Sequence, residues 1–167
     1  MIVSLSDFAE KIRPLLREQQ KKLVAVSGGF APPHVGHVRL FREARRLGDQ
    51  LVILVNGDEF LRRKTGHIFM PLPERLELLD AFEAADFVIG WEPADPADTS
   101  VAAALAKIKP DIFANGGDRA PDQDKIPLAE EEVCREIGCE MLWGIGGADK
   151  PQSSSWLIAA AREAVGK

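Results

Sequence analysis

In Leu23-Val24-Ala25-Val26-Ser27-Gly28-Gly29-Phe30-Ala31-Pro32-Pro33-His34-Val35-Gly36-His37 an apolar run empties into a glycine turn, and the turn opens a helix. The apolar run reads as a buried strand and the segment from Val35 as the helix. The chain has three histidines, and two of them, His34 and His37, stand at the start of that helix. At this spacing both imidazoles project from one face. A helix start also offers unpaired backbone N–H groups and the positive end of the dipole. Two imidazoles, loose amides and a glycine turn aimed at one point describe a site for phosphate groups. A metal site built on the same pair needs at least one further ligand, and no His or Cys lies nearby in sequence. The structural alternative is that a histidine near a helix start only satisfies backbone groups.

Outward from this motif the chain alternates. Lys22–Ser27 reads as strand, Val35–Leu47 as helix, Leu51–Val55 as strand, Leu72–Ala84 as helix and Phe87–Ile89 as strand. Ser100–Ile108 follows as helix, Asp111–Ala114 as strand, Ala129–Ile137 as helix, Glu140–Trp143 as strand and Ser155–Val165 as helix. Short, continuously apolar strands between helices predict a parallel sheet covered on both faces. The expected fold is α/β, a Rossmann-like three-layer sandwich with a five-stranded parallel sheet. Ahead of it, residues 1–21 form a helical extension, with Phe8, Ile12, Leu15 and Leu16 on one side between Asp7 and Gln20. Pro14 obstructs a single helix there and splits the segment into a short turn and a helix.

A length of 167 residues fits one domain, spanning 1–167. The chain is 46% hydrophobic and 28% charged, ordinary for a globular protein. A formal net charge of -5 and the lack of a basic stripe argue against a nucleic-acid surface. No apolar run is long enough to span a membrane. The N-terminus lacks a basic region and resembles no export signal. Cys134 and Cys139 suggest neither a disulfide framework nor a zinc site and read as packing residues, which fits a reducing cytoplasm.

Ligands of doubly wound folds sit at the carboxyl ends of the strands, and the remaining polar clusters fall there. Arg62-Arg63-Lys64, after the second strand, is a local basic spot in an acidic chain, or a solvated turn. After the fourth strand, Gly116-Gly117 permits close backbone approach and Asp118 can accept hydrogen bonds from a ribose or base; a plain β-turn is the alternative. Ser153-Ser154-Ser155 opens the last helix. One serine suffices as a cap, so three hydroxyls with free amides suggest a second anion cradle. Arg75 is either a ligand or half of a surface ion pair with Glu74 or Glu77.

The run Gly29–His37 resembles the signature of the nucleotidyltransferase superfamily that carries the HxGH motif, and the likeness extends from Lys22 onward. That group includes glycerol-3-phosphate cytidylyltransferases, heptose-1-phosphate, FMN and phosphopantetheine adenylyltransferases. The resemblance implies transfer of a nucleoside monophosphate from ATP or CTP to a phosphorylated small molecule, with pyrophosphate released. It implies catalytic roles for His34, His37 and Lys64, the last touching both substrate phosphates. It implies nucleotide contacts from Gly29, Phe30, Gly36, Gly117, Asp118, Ser153, Ser154 and Ser155, and a substrate contact from Arg75. Mg²⁺ would ride on the nucleotide phosphates, with no metal cage in the protein, and a homo-oligomer would be usual.

Two departures matter. Many members have Asp where this chain has Ala31, and any role of that acid in site geometry does not carry over. The cytidylyl branch has Arg-Thr-Glu-Gly where Ala148-Asp149-Lys150-Pro151 stands, which leans toward ATP. The order of features points to a phosphorylated sugar or polyol as acceptor, with FMN and phosphopantetheine as alternatives. A regulatory nucleotide-binding module without turnover is the competing class; Ala31 favours it and the intact His34, His37, Lys64 and serines oppose it.

Overall fold

The structure, a computed structural model, describes residues 1–95, 97–117, 127–147 and 153–165, without the side chains of Ser155 and Val165. Five strands, β1 (Leu23–Gly28), β2 (Gln50–Asn56), β3 (Phe87–Trp91), β4 (Ile112–Gly116) and β5 (Glu140–Ile145), form one sheet in the order β3-β2-β1-β4-β5. Every pairing is parallel. This is the Rossmann-like α/β sheet that the alternating sequence predicts.

The strands bury both faces, and side chains leave a strand with a period of two. Leu23 and Ala25 point into one core with Val52, Leu54 and Phe113, while Val24 and Val26 point into the other with Leu51, Ile53 and Ala114. Helices α3 (Val35–Arg45) and α5 (Leu72–Asp80) cover the second face through Leu40, Phe41, Ala44 and Leu79. The first face is covered by α6 (Ala102–Ile108) and α7 (Leu128–Ile137), with the N-terminal helical segment. Cys134 and Cys139 are free thiols buried in that same layer.

The N-terminal segment is continuous but mixed: α1 (Leu5–Asp7), a π-helical turn (Phe8–Ile12) and α2 (Arg13–Glu18). Pro14 falls in the first turn of α2, where its missing N–H costs nothing. The segment is built into the sheet. Phe8 is fully buried, its ring edge-on to Phe87 at 5.1 Å. The Arg13 guanidinium donates to the carbonyls of Ile108 and Lys109 and to Asp111. Ahead of α1, Ile2 pairs in parallel with Val88 on the outer edge of β3. The Val3 N–H donates to the Val88 carbonyl at 3.1 Å, and the Val88 N–H to the Met1 carbonyl at 3.0 Å.

One element differs from the sequence reading. Arg62-Arg63-Lys64 is no turn but the last turn of a helix, α4 (Asp58–Thr65). Its first turn is acidic, its last turn basic, and Gly66 closes it with φ +82°. That is full end-chemistry for a helix. Its single buried side chain, Leu61, leaves no apolar stripe to read. Helix α8 (Ser154–Val165) runs last.

Candidate active site

The strand order reverses direction between β1 and β4, and the crevice beyond their carboxyl ends is where such folds take ligands. The chain leaving β1 enters it through Gly28 and Gly29. A Cβ on Gly29 would stand 2.8 Å from Leu61 Cδ2, so glycine lets α4 pack against the turn. Phe30 follows with φ +48° and is buried, its ring 4.9 Å from the His37 ring and 5.4 Å from Phe41. Its side chain therefore backs the imidazole.

His34 is the N-cap of α3 in extended conformation. Its Nδ1 accepts the Gly36 N–H at 3.2 Å, and the His37 Nδ1 accepts the His34 N–H at 3.2 Å. The two rings close a capping box in which imidazoles replace the usual hydroxyl and carboxylate. They stack at 3.8 Å between centroids. An Nδ1 that accepts a backbone N–H carries no proton, so each ring keeps its proton on Nε2, away from the helix backbone. Burial, then the neighbouring His34, then the Lys64 ammonium push the His37 pKa down to about 3. At neutral pH His37 is an uncharged donor. The capping reading and the ligand reading thus hold together: Nδ1 of each ring serves the helix, and Nε2 lies on the side of the ring away from that bond.

Lys64, in the last turn of α4, lies near enough for its charge to disfavour protonation of His37. It is exposed, with Nζ 5.5 Å from the centre of the Phe60 ring. Gly117 follows β4 with φ +68° and nothing within reach of a Cβ. Asp118 lies outside the described residues.

The serines close on the same loop. Ser154 Oγ donates to the Pro32 carbonyl at 2.8 Å, joining the start of α8 to the chain between β1 and α3. Ser153 Oγ accepts the Trp156 N–H at 3.2 Å and so caps α8. The Ser155 side chain lies outside the described residues. One hydroxyl of the expected cradle thus ties the two loops together, and a second caps α8.

Arg75 is neither exposed nor paired with Glu74 or Glu77, so the surface ion pair is replaced by a buried clamp. Its fully buried guanidinium donates to the carbonyls of Gly29 at 2.7 Å, Asn56 at 2.5 Å and Met70 at 3.0 Å, and to Asp58 Oδ1 at 2.7 Å. It ties the ends of β1 and β2 to the first turn of α4. Its direct neighbours are backbone carbonyls and a carboxylate, which makes it a positioning residue in this structure.

The residues at the carboxyl end of β3 were not singled out in the sequence, yet Trp91 and Glu92 line a cavity beside α4. The signal was available: they too stand at a strand's carboxyl end. Among the described residues no three His, Cys, Asp or Glu side chains gather to hold a metal ion. No helix among them is long and apolar enough to cross a membrane.

The model of the cytidylyltransferase-like family matches residues 25–150. The bifunctional protein HldE of Methylococcus capsulatus is 36% identical over 141 residues, covering 83% of this chain and 28% of that protein. The HldE protein of Erwinia tasmaniensis is 40% identical over 133 residues, covering 78% and 24%. The chain therefore spans about a quarter of the length of these curated relatives. Among solved structures, a lipopolysaccharide core biosynthesis protein of Thermoplasma volcanium superposes with a TM-score of 0.61 at 25% identity, covering 77% of this chain and 99% of that one. The pantoate-beta-alanine ligase of Francisella tularensis superposes with a TM-score of 0.58 at 16% identity, covering 86% and 66%, a likeness of fold alone. The family match runs from inside β1 through β5 and takes in the histidine-capped helix, and by that match the chain belongs to the cytidylyltransferase-like family.

Proposed function

We propose that this chain transfers a nucleoside monophosphate from ATP, or less favourably CTP, to a phosphorylated sugar or polyol and releases pyrophosphate. One observation carries the reading: the His34 and His37 rings, with each Nδ1 turned to the helix backbone and His37 uncharged, are fixed at the switch point of the sheet, near an ammonium and against a loop clasped by α8. A phosphomonoester is already an anionic nucleophile and needs no base. An oxygen of the acceptor phosphate attacks the α-phosphorus in line, and the bond from that phosphorus to the bridging oxygen of the β-phosphate breaks.

The barrier lies in bringing two anions together and in the charge that builds on the equatorial oxygens. Fixed donors aimed at that charge lower it without reorganising. Lys64, on a flexible stem at the edge of the site, is suited to follow charge from one phosphate to the other. Mg²⁺ enters as part of the nucleotide substrate. A cytoplasmic location and assembly into a homo-oligomer belong to the same reading.

The test is a panel of the four nucleoside triphosphates against phosphorylated sugars, polyols, FMN and phosphopantetheine, read by pyrophosphate release. Turnover with ATP and a sugar or polyol phosphate is expected. Nucleotide binding without turnover on any acceptor overturns the proposal in favour of a regulatory module.

A further inference from the structure

Beside α4, beyond the carboxyl ends of β2 and β3, lies a cavity of about 90 Å³, several times what one water needs. It is walled by Asn56, Phe60, Arg63, Trp91, Glu92 and Asp98. The walls are set. The Trp91 indole N–H donates to the Ser100 carbonyl at 3.0 Å, which fixes the ring plane. Asp98 Oδ1 is engaged by the Ser100 N–H at 2.7 Å. Arg63 stands 3.7 Å from Glu59 on its own helix, so its charge is partly answered there. Glu92 lies directly over Gly57: a Cβ at that glycine would stand 1.8 Å from Glu92 Oε1. Only the missing side chain at Gly57 lets this carboxylate stand where it does.

The cavity shares a wall with the phosphate site. Phe60 lines it, and the Lys64 ammonium stands over the same ring. On one side of Phe60 the groups are donors and a cation; on the other, the carboxylates of Glu59, Glu92 and Asp98 outnumber the single guanidinium of Arg63, with the Asn56 amide and an indole beside them. A triphosphate is repelled by the second side. A molecule that fits both is anionic at one end and neutral, rich in hydroxyls, at the other. Carboxylates accept hydroxyl hydrogen bonds strongly, and aromatic faces pack against the C–H faces of a carbon chain.

We propose that this cavity takes the hydroxyl-bearing carbon skeleton of the acceptor, and that Glu92 sets the specificity by accepting its hydroxyls and turning away acceptors with a second anionic group. This rests on the nucleotidyl-transfer reading and assigns the acceptor's end of the same site.

The experiment measures pyrophosphate release by the full chain with ATP and three acceptor types: sugar or polyol monophosphates, a polyol bisphosphate and an amino-alcohol phosphate. Wild type, Glu92→Gln and Glu92→Lys are compared. A lost hydrogen bond to a charged group corresponds to about tenfold or more in acceptor KM for Glu92→Gln, with the KM for ATP unchanged. Glu92→Lys should move the preference toward the bisphosphate. An unchanged acceptor KM in Glu92→Gln, or a wild type that prefers the bisphosphate or the amino-alcohol phosphate, overturns the assignment while leaving nucleotidyl transfer standing. Should no acceptor turn over, the transfer reading fails by itself, and calorimetric titration of the same monophosphates decides the cavity. Binding weakened by Glu92→Gln supports it; equal or absent binding overturns it.

Discussion

The backbone N–H of His34 donates to Nδ1 of His37, and the two rings stack at 3.8 Å. Each histidine therefore has a helix-ending duty as well as a chemical one, and substitutions can separate them. Asparagine is among the best N-caps. His34→Asn keeps a cap while removing the Nε2 donor, so thermal stability should hold near the wild-type value. By analogy with lost oxyanion donors, its kcat should fall about 10²-fold or more. His34→Ala should add a loss of about 1 kcal/mol in stability. Urea titrations and pyrophosphate release check both; near-normal turnover in either variant removes the imidazole from the chemistry.

Protonation of His37 should be felt as stability. Its folded pKa is depressed to about 3 from an ordinary 6.5. Between those values the unfolded chain binds a proton that the folded chain refuses, so stability falls as pH drops from about 6.5 toward 3. Above 6.5 this contribution is complete and constant. His37→Gln should flatten that part of the stability profile, by an amount on the order of a few kcal/mol at the acid end. Parallel profiles for wild type and variant would show that the ring is not held neutral.

Removing the buried guanidinium should be costly. Arg75→Met leaves the carbonyls of Gly29, Asn56 and Met70 and the Asp58 carboxylate without their donor. Breaking one side of a buried charged network costs about 3–5 kcal/mol. The double variant Arg75→Met, Asp58→Asn should recover part of that loss, because the stranded charge goes with it. A shift in urea midpoint no larger than that of a surface substitution would contradict the clamp.

The clasp of α8 should appear in nucleotide affinity. Ser154→Ala deletes the bond to the Pro32 carbonyl, worth about 1 kcal/mol net. The KM for the nucleotide should rise more than kcat falls. Ser153→Ala instead loses the cap of α8 and should lower the melting temperature. Isothermal titration with a non-hydrolysable ATP analogue, set beside melting curves, distinguishes the two effects.

Much of this was legible in the residues because the signals were local. Leu23–Val26 and Leu51–Val55 are apolar without a break, as a strand buried on both faces requires, and both are buried. The histidine-bearing helix announces itself by the glycines before it. Helix α4 was missed because periodicity is an apolar signal and α4 buries only Leu61; the acidic start, basic end and Gly66 were its true marks. Arg75 was unreadable for another reason. Its carboxylate partner lies 17 residues upstream and its carbonyl partner Gly29 46 residues upstream, so Glu74 and Glu77 were the only partners in view. The family match finds the fold and the histidines; the division of labour between the two nitrogens of each ring needed coordinates.

An open sheet has two rims, and a bare rim invites a second chain to add strands to it. Here the rim on the β3 side is already occupied from within, since residues on either side of Ile2 exchange backbone hydrogen bonds with Val88. The opposite rim, at β5, has no such escort among the described residues. Among the described residues β5 is thus the rim left for a second copy, and β5 set against β5 by a two-fold axis closes a pair, where joining unlike rims would run on as a ribbon.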